Sequence, residues 1–427
     1  MPSKIKKIQA REILDSRGNP TIEVEVVLDN KIKAKASVAS GASTGEFEAL
    51  ELRDENKSKY NGRGVLLACE NVNKKINKAL IGQSVINQKK IDNIMLELDR
   101  TENKSNLGAN AILGVSLACA RAGSKAVNKP LYKYLAEIFQ YSIPSARDIQ
   151  YPTPMFNILN GGKHADSGLS VQEFMIVPIG IGSVKEKVRA GSEIFHNLKN
   201  ILSELDHSTG VGDEGGFAPK LDSHARAFDL ISEAVEKAGY KSGKEIFFAI
   251  DAAANSFFVS EDDKYVLKPE NVSLNYKKLV VLYLEWIKKY PLFSIEDGLN
   301  EENWSEWKEM KKKLITGNSD LMIVADDLTV TNAKRLQKAI DNNCANAIII
   351  KPNQIGSLTE TIKCVKMAQE AKWKIIVSHR SGETCDDFIA DLAVAVGADF
   401  LKAGSLSRGE RLAKYNRLME IEGEVGN

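Results

Sequence analysis

The segment Phe293-Ser-Ile-Glu296-Asp297 is one of six in which a short apolar run ends in a charged residue. Apolar runs of this length, separated by stretches long enough for a helix, are typical of buried parallel strands. Charged residues at the ends of parallel strands would lie together at one mouth of a barrel, where barrel enzymes carry their active sites. The other five runs are Ile246-Phe-Phe-Ala-Ile-Asp251, Met322-Ile-Val-Ala-Asp326-Asp327, Ile348-Ile-Ile-Lys351, Ile375-Ile-Val-Ser-His379-Arg380 and Asp399-Phe-Leu-Lys402.

The same alternation of strand-like and helix-like segments extends from Met155 to the end of the chain. It predicts a parallel sheet, and the length of the segment 141–427, about 285 residues, favours a closed α/β barrel of the TIM type. An open, doubly wound sheet is the alternative, but it would gather ligands at one switch point. The predicted helices are Val184–Asp206, Ala225–Ala238, Lys277–Lys289, Trp304–Lys313, Asn332–Asp341, Thr359–Ala371, Phe388–Val396 and Arg408–Glu422.

The first part of the chain has a different pattern. Residues 21–27, Thr-Ile-Glu-Val-Glu-Val-Val, alternate apolar and polar as half-buried strands do, and so does Lys33-Ala-Lys-Ala-Ser-Val38. We therefore predict an antiparallel meander covered on one face by helices. Pro130 and the region 144–154 interrupt the helical pattern, so an α+β cap domain is predicted at 1–140 and the barrel at 141–427. The predicted cap helices are 64–80, 86–100 and 106–128.

Composition narrows the class of protein. With 427 residues, two domains are expected. A net charge of +1 does not indicate a surface that binds nucleic acid. The five cysteines are scattered without a Cys-x-x-Cys pair, which is typical of free thiols in a reducing cytosol. The amino terminus lacks an apolar signal region, and no apolar run has the length of a membrane span. We predict a cytoplasmic protein, and later secretion without a signal peptide stays open.

Asp251, Glu296 and Asp326 are three carboxylates at predicted strand ends. Three anions in one pocket repel each other unless a cation neutralises them. Because all the ligand atoms would be oxygens, Mg²⁺ is favoured over zinc. The alternative is that each acid caps the helix that follows its strand.

Lys351 and Lys402 also end predicted strands. A lysine beside metal cations can lose its proton and act as a base, but each lysine could equally pair with a carboxylate, and position alone leaves both open. His379-Arg380-Ser381 follows another strand, where arginine suits bidentate recognition of phosphate or carboxylate. A surface salt bridge is the alternative for Arg380.

Three loops outside the strand ends carry further candidates. Ser40-Gly-Ala-Ser43-Thr-Gly45 could be a lid whose serine reaches a ligand or metal, or a plain linker. The loop from Asn160 to His164, together with Gln172 and Glu173, supplies a histidine, an amide and an acid. Glu214 lies between glycines that let the backbone approach a ligand closely, or it belongs to an ordinary turn.

Long motifs throughout the chain resemble those of the enolase family. The resemblance covers essentially the whole sequence. It is carried by Arg11-Glu-Ile-Leu-Asp-Ser-Arg-Gly-Asn-Pro20-Thr, the Ser40 loop, Gly212-Asp-Glu-Gly-Gly, Ser378-His-Arg-Ser-Gly-Glu-Thr384 and Arg408-Gly-Glu-Arg-Leu-Ala-Lys-Tyr-Asn-Arg-Leu.

The resemblance implies interconversion of 2-phospho-D-glycerate with phosphoenolpyruvate and water, in glycolysis and gluconeogenesis. It implies that Lys351 is the base, that Glu214 with Glu173 supplies the acid, and that His379 belongs to the catalytic set. It further implies a homodimer or octamer, and a second role at the cell surface or in RNA processing stays open. The first Mg²⁺ would bind Asp251, Glu296 and Asp326. The second would arrive with substrate beside Ser43. The substrate would contact His164, Gln172, Lys351, His379, Arg380, Ser381 and Lys402.

Two rival functions remain alongside this expectation. One is an acid-sugar dehydratase or racemase of the same superfamily, and the other is a non-enzymatic surface or structural paralogue. Several positions also depart from the family pattern: Ala39 replaces a usual proline, Ala325 a glycine, Pro352 a valine and Cys385 an acid. None of the four is a predicted ligand, so the departures bear on rate and loop motion.

Overall fold

The structure is a computed structural model that describes residues 3–41, 45, 47–141 and 150–426, without the side chains of 425 and 426. The chain starts with the predicted antiparallel meander, and alternate residues of its central strand are fully buried. A long helix covers this face so closely that a Cβ added at Gly114 would lie 2.7 Å from Val24. The strands are Ile5–Leu14, Pro20–Leu28 and Lys33–Ser37.

The cap helices correct one prediction. Pro130 does not end the helical region; it is the residue before a helix that runs from Leu131 to Ile138. Proline is favourable at a helix start because the first backbone N–H groups have no partner within the helix. The helices are Leu66–Glu70, Asn71–Ile76 (a π-helical segment), Asn77–Leu80, Gln88–Asp99, Ala109–Ala126 and Leu131–Ile138, with a short 3₁₀ turn at Tyr60–Gly62.

Eight strands form a closed barrel, which confirms the predicted fold class and excludes the open sheet. The last strand pairs in parallel with the first, for example Phe400 with Thr153, and this pairing closes the ring. The strands are Thr153–Asn160, Glu173–Val177, Phe247–Asp251, Leu292–Glu296, Met322–Ala325, Ala347–Ile350, Lys374–Ser378 and Phe400–Lys402.

The second barrel strand, Glu173–Val177, runs antiparallel to both of its neighbours, whereas the sequence predicts a parallel sheet. The connection before it holds only a 3₁₀ turn at Gly162–His164, and a connection this short favours an antiparallel pair over a helical crossover. The reversal brings the first residue of the strand, rather than its last, to the charged mouth of the barrel. Glu173 is accordingly the register partner of Asp251.

Helices surround the barrel close to their predicted positions. Ser183, Ser223 and Ser357 each begin a helix by accepting a backbone N–H at their side-chain oxygen. A small sheet of Phe258–Val259, Lys264–Leu267 and Val272–Leu274, which the sequence did not predict, follows a 3₁₀ turn at Ala254–Phe257. The helices are Val184–Glu204, His224–Lys237, Tyr276–Lys289, Trp304–Ile315, Ala333–Asp341, Pro352–Ile355, Leu358–Glu370, Phe388–Ala395 and Gly409–Gly426.

The cap packs against the barrel through polar contacts that fix it near the barrel mouth. Asp92 of the cap accepts hydrogen bonds from the backbone and hydroxyl of Thr359, and Arg121 pairs with Asp386. The predicted domain boundary near 140 lies beside residues 142–149, outside the described part of the chain, and stays a prediction. Within the described ranges, no helix has both the length and the apolarity to cross a membrane.

Candidate active site

Lys402 ends the last barrel strand and lies among three buried carboxylates. Its Nζ atom is 2.8 Å from Glu296 Oε2, 3.3 Å from Asp251 Oδ2 and 3.2 Å from Glu173 Oε1. Glu296 and Asp251 are register partners on neighbouring strands, so backbone pairing brings their side chains to the same level. Burial alone would lower the pKa of Lys402, but the carboxylates, Glu173 foremost, raise it well above its usual value. Lys402 is therefore a fixed cation.

Lys351 follows the strand Ala347–Ile350 and has a different partner. Its ammonium group pairs with Asp326, whose other oxygen accepts a hydrogen bond from Gln354 at 2.9 Å. Burial alone would lower the pKa of Lys351, but Asp326 outweighs it and raises the pKa. We call this side of the site the lysine wall, and it comprises Lys351, Lys402, Asp251, Glu296 and Asp326.

Asp297 lines the same cavity and holds the backbone next to the lysine wall. It is buried, and its two carboxylate oxygens accept the backbone N–H groups of Asp326 at 3.0 Å and Asp327 at 2.8 Å. These bonds fix the turn that presents Asp326. The strand-end pattern does not single Asp297 out, because it directly follows the more obvious Glu296; its sequence signal is the repeated acidic pair at two strand ends.

The carboxylates of the lysine wall offer the oxygen ligands that a hard divalent cation prefers. Burial, followed by the nearby Asp251, raises the pKa of Glu296 to about 8, so ionising this group without a cation is costly. All the available ligand atoms are oxygens, as Mg²⁺ prefers. Asp251, Glu296 and Asp326 do not by themselves form a set of ligand atoms within 4.8 Å of one another. Among the described residues, the sets that do are His164, Glu173, Glu214 and Asp297, Asp326, Asp327.

The other side of the site pairs carboxylates with histidines. Glu214 Oε2 lies 3.5 Å from His164 Nδ1 and 3.4 Å from His379 Nε2, and it accepts a hydrogen bond from Asn157 at 3.0 Å. Burial lowers the pKa of both histidines, in the case of His379 to about 3. Both rings are therefore neutral near pH 7. We call this side the histidine wall, and it comprises His164, Glu173, Glu214 and His379.

Glu173 and Glu214 lie on the same side of the cavity and share His164 as a neighbour. Burial, followed by the charge of Glu214, raises the pKa of Glu173 well above its usual value. Two neighbouring buried carboxyls do not both ionise readily, so burial and their mutual repulsion favour a proton on the pair.

Arg380 lies inside the site and is not a surface salt bridge. Its guanidinium group makes a two-point contact with Glu48 of the cap, at 2.8 and 3.1 Å, and is 5% exposed. It also donates to Asn353 Oδ1 at 3.1 Å, while Asn353 donates to the carbonyl of Ala39 at 3.0 Å. The cap thus holds Arg380 directly through Glu48 and indirectly through Asn353.

The structure brings most of the predicted site residues into one cavity, and Glu296 lies behind it against Lys402. Ser43 lies outside the described residues, so its predicted contact with metal has no structural outcome. Glu48, Asn157, Asp297 and Arg411 are site residues that sequence patterns did not identify. The predicted residues that line the cavity are His164, Gln172, Glu173, Glu214, Asp251, Asp326, Lys351, His379, Arg380, Ser381 and Lys402.

The departures from the family pattern fit the local backbone. Ala325 is the last residue of a strand, and its backbone φ is not positive, so its Cβ causes no strain. Pro352 is the first residue of a short helix after an extended Lys351 with φ −123°, where a missing N–H costs little. Cys385 is exposed.

These features define a class of protein. A closed barrel whose mouth holds buried carboxylates, two lysines and two histidines is typical of a barrel enzyme that acts on a small anionic molecule with a metal cofactor. Comparison with known proteins identifies the family. The family model "Enolase, N-terminal domain" matches residues 5–135, and "Enolase, C-terminal TIM barrel domain" matches residues 148–427.

The chain is also 51% identical over 421 residues to the enolase of Helicobacter acinonychis (strain Sheeba), and the match covers 99% of this chain and 96% of that protein. The chain therefore belongs to the enolase family. This confirms the resemblance inferred from the motifs and places the chain among glycolytic lyases with phosphopyruvate hydratase activity. Membership of this family implies a metal cofactor and a small-molecule substrate.

Proposed function

We propose that this enzyme interconverts 2-phospho-D-glycerate and phosphoenolpyruvate in a Mg²⁺-dependent reaction, with Lys351 as base and Glu214 with Glu173 as the source of the acid. The observation that carries the proposal is that Lys351 and the carboxyl pair line one cavity. A dehydration that breaks a C–H and a C–O bond needs a base and an acid within reach of the same small molecule.

Lys351 is better suited than Lys402 to remove the proton next to the substrate carboxylate. Lys351 pairs with Asp326, whereas three carboxylates hold Lys402 in its charged form. Removal of the proton creates a second negative charge, and the fixed charge of Lys402 would stabilise it. Mg²⁺ held by Asp251, Glu296 and Asp326 would supply further positive charge to this dianion and would weaken the hold of Asp326 on the Lys351 proton.

The carboxyl pair would assist the departure of hydroxide. The proton favoured on this pair would reach the substrate through Glu214, when the substrate brings its hydroxyl group close. Burial, followed by the charge of Glu214, raises the pKa of Glu173, which would keep a proton available on the pair near pH 7. His379 belongs to this catalytic set as a neutral neighbour of Glu214.

The remaining site residues would bind the substrate. Arg380 and Ser381 would contact the phosphate, since a planar guanidinium matches phosphate oxygens at two points. A second Mg²⁺ would enter with the substrate beside Ser43. His164, Gln172 and Lys402 would complete the substrate contacts.

We also propose a cap domain at 1–140 and a barrel at 141–427, a cytoplasmic location, and a homodimer or octamer. Secretion without a signal peptide, and a second role at the cell surface or in RNA processing, would be additions to this activity. Light scattering during chromatography measures the mass of the assembly and would reject both states if the chain ran as a monomer.

The activity is tested with purified chain, Mg²⁺ and 2-phosphoglycerate, following the ultraviolet absorbance of phosphoenolpyruvate. Absorbance should rise, EDTA should stop the rise, and added Mg²⁺ should restore it. Conversion of an unphosphorylated acid sugar instead would favour a dehydratase of the same superfamily. A folded chain that converted neither substrate would point to a non-enzymatic paralogue.

A further inference from the structure

A fully buried arginine lies directly behind His379. Arg411 belongs to the first turn of the last helix and is 0% exposed. Its Nη1 atom is 2.6 Å from Nδ1 of His379 and 2.6 Å from the carbonyl oxygen of Arg380. Its Nη2 atom donates to the carbonyl oxygens of Ser381 at 2.6 Å and Asp213 at 2.9 Å. The guanidinium group is held from several directions, so its orientation toward His379 is fixed.

The chemistry of this contact determines where the hydrogen of His379 lies. A guanidinium group only donates hydrogen bonds and does not lose its charge in proteins. Nδ1 of His379 must therefore accept, which requires a lone pair on Nδ1 and places the ring hydrogen on Nε2. A doubly protonated ring would direct an N–H group at a cation 2.6 Å away, in a buried site.

The other ring nitrogen faces the cavity. Within the described residues, Nε2 of His379 is buried without a hydrogen-bond partner, and Glu214 Oε2 is 3.4 Å away. An N–H group on Nε2 of His379 would donate a hydrogen bond either to Glu214 after a small shift or to an oxygen of the substrate. The charged groups around the ring are Glu214, Arg411 and Lys402.

We propose that Arg411 is a positioning residue that fixes His379 as the neutral tautomer with its hydrogen on Nε2, so that the ring donates a hydrogen bond into the cavity. The catalytic consequence rests on the proposed function, whereas the tautomer itself does not. His164, the other histidine of this wall, turns Nδ1 toward Glu214 at 3.5 Å, whereas Nδ1 of His379 faces Arg411.

Nitrogen NMR measures the tautomer without any need for turnover. The full chain, labelled with ¹⁵N-histidine, contains five histidines, and the signals missing from a His379→Asn sample identify His379. We expect a protonated Nε2 and an unprotonated Nδ1, unchanged between about pH 5 and about pH 8, where an ordinary histidine titrates. A hydrogen on Nδ1, or a doubly protonated ring near pH 7, would overturn the proposal.

Three variants test whether Arg411 is what keeps the hydrogen of His379 on Nε2. In Arg411→Met the ring should populate both tautomers or titrate toward the ordinary pKa of about 6.5. Arg411→Lys keeps a charged donor and should retain most of the Nε2–H form. Arg417→Met removes an arginine of the same helix that pairs with Asp391, and it should leave the His379 signals unchanged.

A folded Arg411→Met protein whose His379 signals match the wild type would show that Arg411 does not fix the ring. If Arg411→Met does not fold, the wild-type and Arg411→Lys spectra decide the question, because a hydrogen on Nδ1 in either would refute the proposal. Loss of phosphopyruvate hydratase activity has no effect on this measurement, so failure of the proposed function and failure of the tautomer assignment are distinguishable.

Discussion

The lysine wall and the histidine wall both bury carboxylates, but they offset the free-energy cost of burying negative charge in different ways. On the lysine wall, two ammonium groups pair with carboxylates, and the acidic groups still outnumber the cations. On the histidine wall, burial lowers the pKa of both rings, and burial with the charge of Glu214 raises the pKa of Glu173. The proposed Mg²⁺ would bind in the first arrangement, and the second would supply the proposed acid.

The origin of the two walls in the fold differs as well. The lysine wall is built from residues at the carboxyl ends of parallel strands, where side chains converge because the strands run the same way. On the histidine wall, only His379 follows a parallel strand; His164 and Glu214 lie in loops, and Glu173 starts the reversed strand Glu173–Val177. A division of labour between the walls therefore predicts that substitutions on each should fail in different ways.

The largest expected effect is the loss of the base in Lys351→Ala. We expect kcat to fall by ~10³-fold or more, since general base catalysis contributes about 10²–10⁴-fold and the neighbouring Lys402 is held by three carboxylates. Steady-state kinetics measures the fall. Lys334→Ala removes an exposed lysine that pairs with Glu102 and should keep wild-type rates. A rate within about tenfold of wild type in Lys351→Ala would assign the base elsewhere.

Glu214→Gln should break the other half of the reaction. Net dehydration should fall by about 10²–10⁴-fold, because the pair can no longer pass its proton to the leaving hydroxide. The base remains, so exchange of the C2 hydrogen of 2-phosphoglycerate with deuterated water should continue, and mass spectrometry detects it. Lys351→Ala should lack this exchange. Equal loss of exchange in both variants would contradict separate roles for the two walls. Glu204→Gln, on an exposed helix face, serves as the control and should keep wild-type dehydration.

The pattern of charged strand ends was sufficient to predict most of the lysine wall. Asp251, Glu296 and Lys402 could be placed together from sequence because parallel strands bring their last residues to one mouth. Glu173 could not, because a residue that starts a strand joins this mouth only if the strand is reversed, and pairing direction is a tertiary property. Arg411 could not either, since its role depends on a contact between a helix and a loop 32 residues apart in sequence.

The fold itself was predicted best where one physical signal dominated. Alternation in residues 21–27 gave the meander, and apolar runs gave the barrel strands. Pro130 was misjudged because proline ends helices in their interior but is favourable before their first turn. The small sheet after residue 257 was missed because its strands are only two to four residues long and carry no clear period.

Addition of Mg²⁺ distinguishes the walls by stability. A cation at 100 times its dissociation constant stabilises the folded chain by about 2.7 kcal/mol, so Mg²⁺ should raise Tm. Asp251→Asn should lose this increase, because it removes a proposed ligand, and Glu214→Gln should keep it. Differential scanning calorimetry with and without EDTA measures both. Loss of the increase in Glu214→Gln alone would place the cation on the histidine wall.

Asp92 shows how a buried carboxylate behaves when it accepts hydrogen bonds and has no cation paired with it among the described residues. Burial raises its pKa to about 6, although Thr359, Ser116 and Gln88 all donate to it. The folded chain therefore binds this proton more tightly than the unfolded chain, whose pKa is about 3.9. The contribution of this proton to the free energy of unfolding is complete below about pH 4. It is lost as pH rises through about 6, a change of about 2–3 kcal/mol.

The stability of Asp92→Asn, measured by denaturant unfolding, should lack this part of the pH dependence. The difference in unfolding free energy between wild type and Asp92→Asn should therefore change between about pH 4 and about pH 7. Asp320→Asn, at an exposed loop position, should leave the wild-type profile unchanged. A constant difference between wild type and Asp92→Asn across this range would show that Asp92 binds its proton no more tightly in the folded chain.

The smallest expected effect concerns the cap rather than either wall. Glu48 occupies two guanidinium donors of Arg380, so a phosphate that used the same donors would have to displace it. Glu48→Gln weakens the pair, and we expect KM for 2-phosphoglycerate to fall a few-fold, roughly 1 kcal/mol, with kcat little changed. Glu55→Gln makes the same charge change at an exposed position of the cap and should leave KM unchanged. A higher KM in Glu48→Gln would mean that Glu48 positions Arg380 for the phosphate, because the loss of competition alone can only strengthen binding.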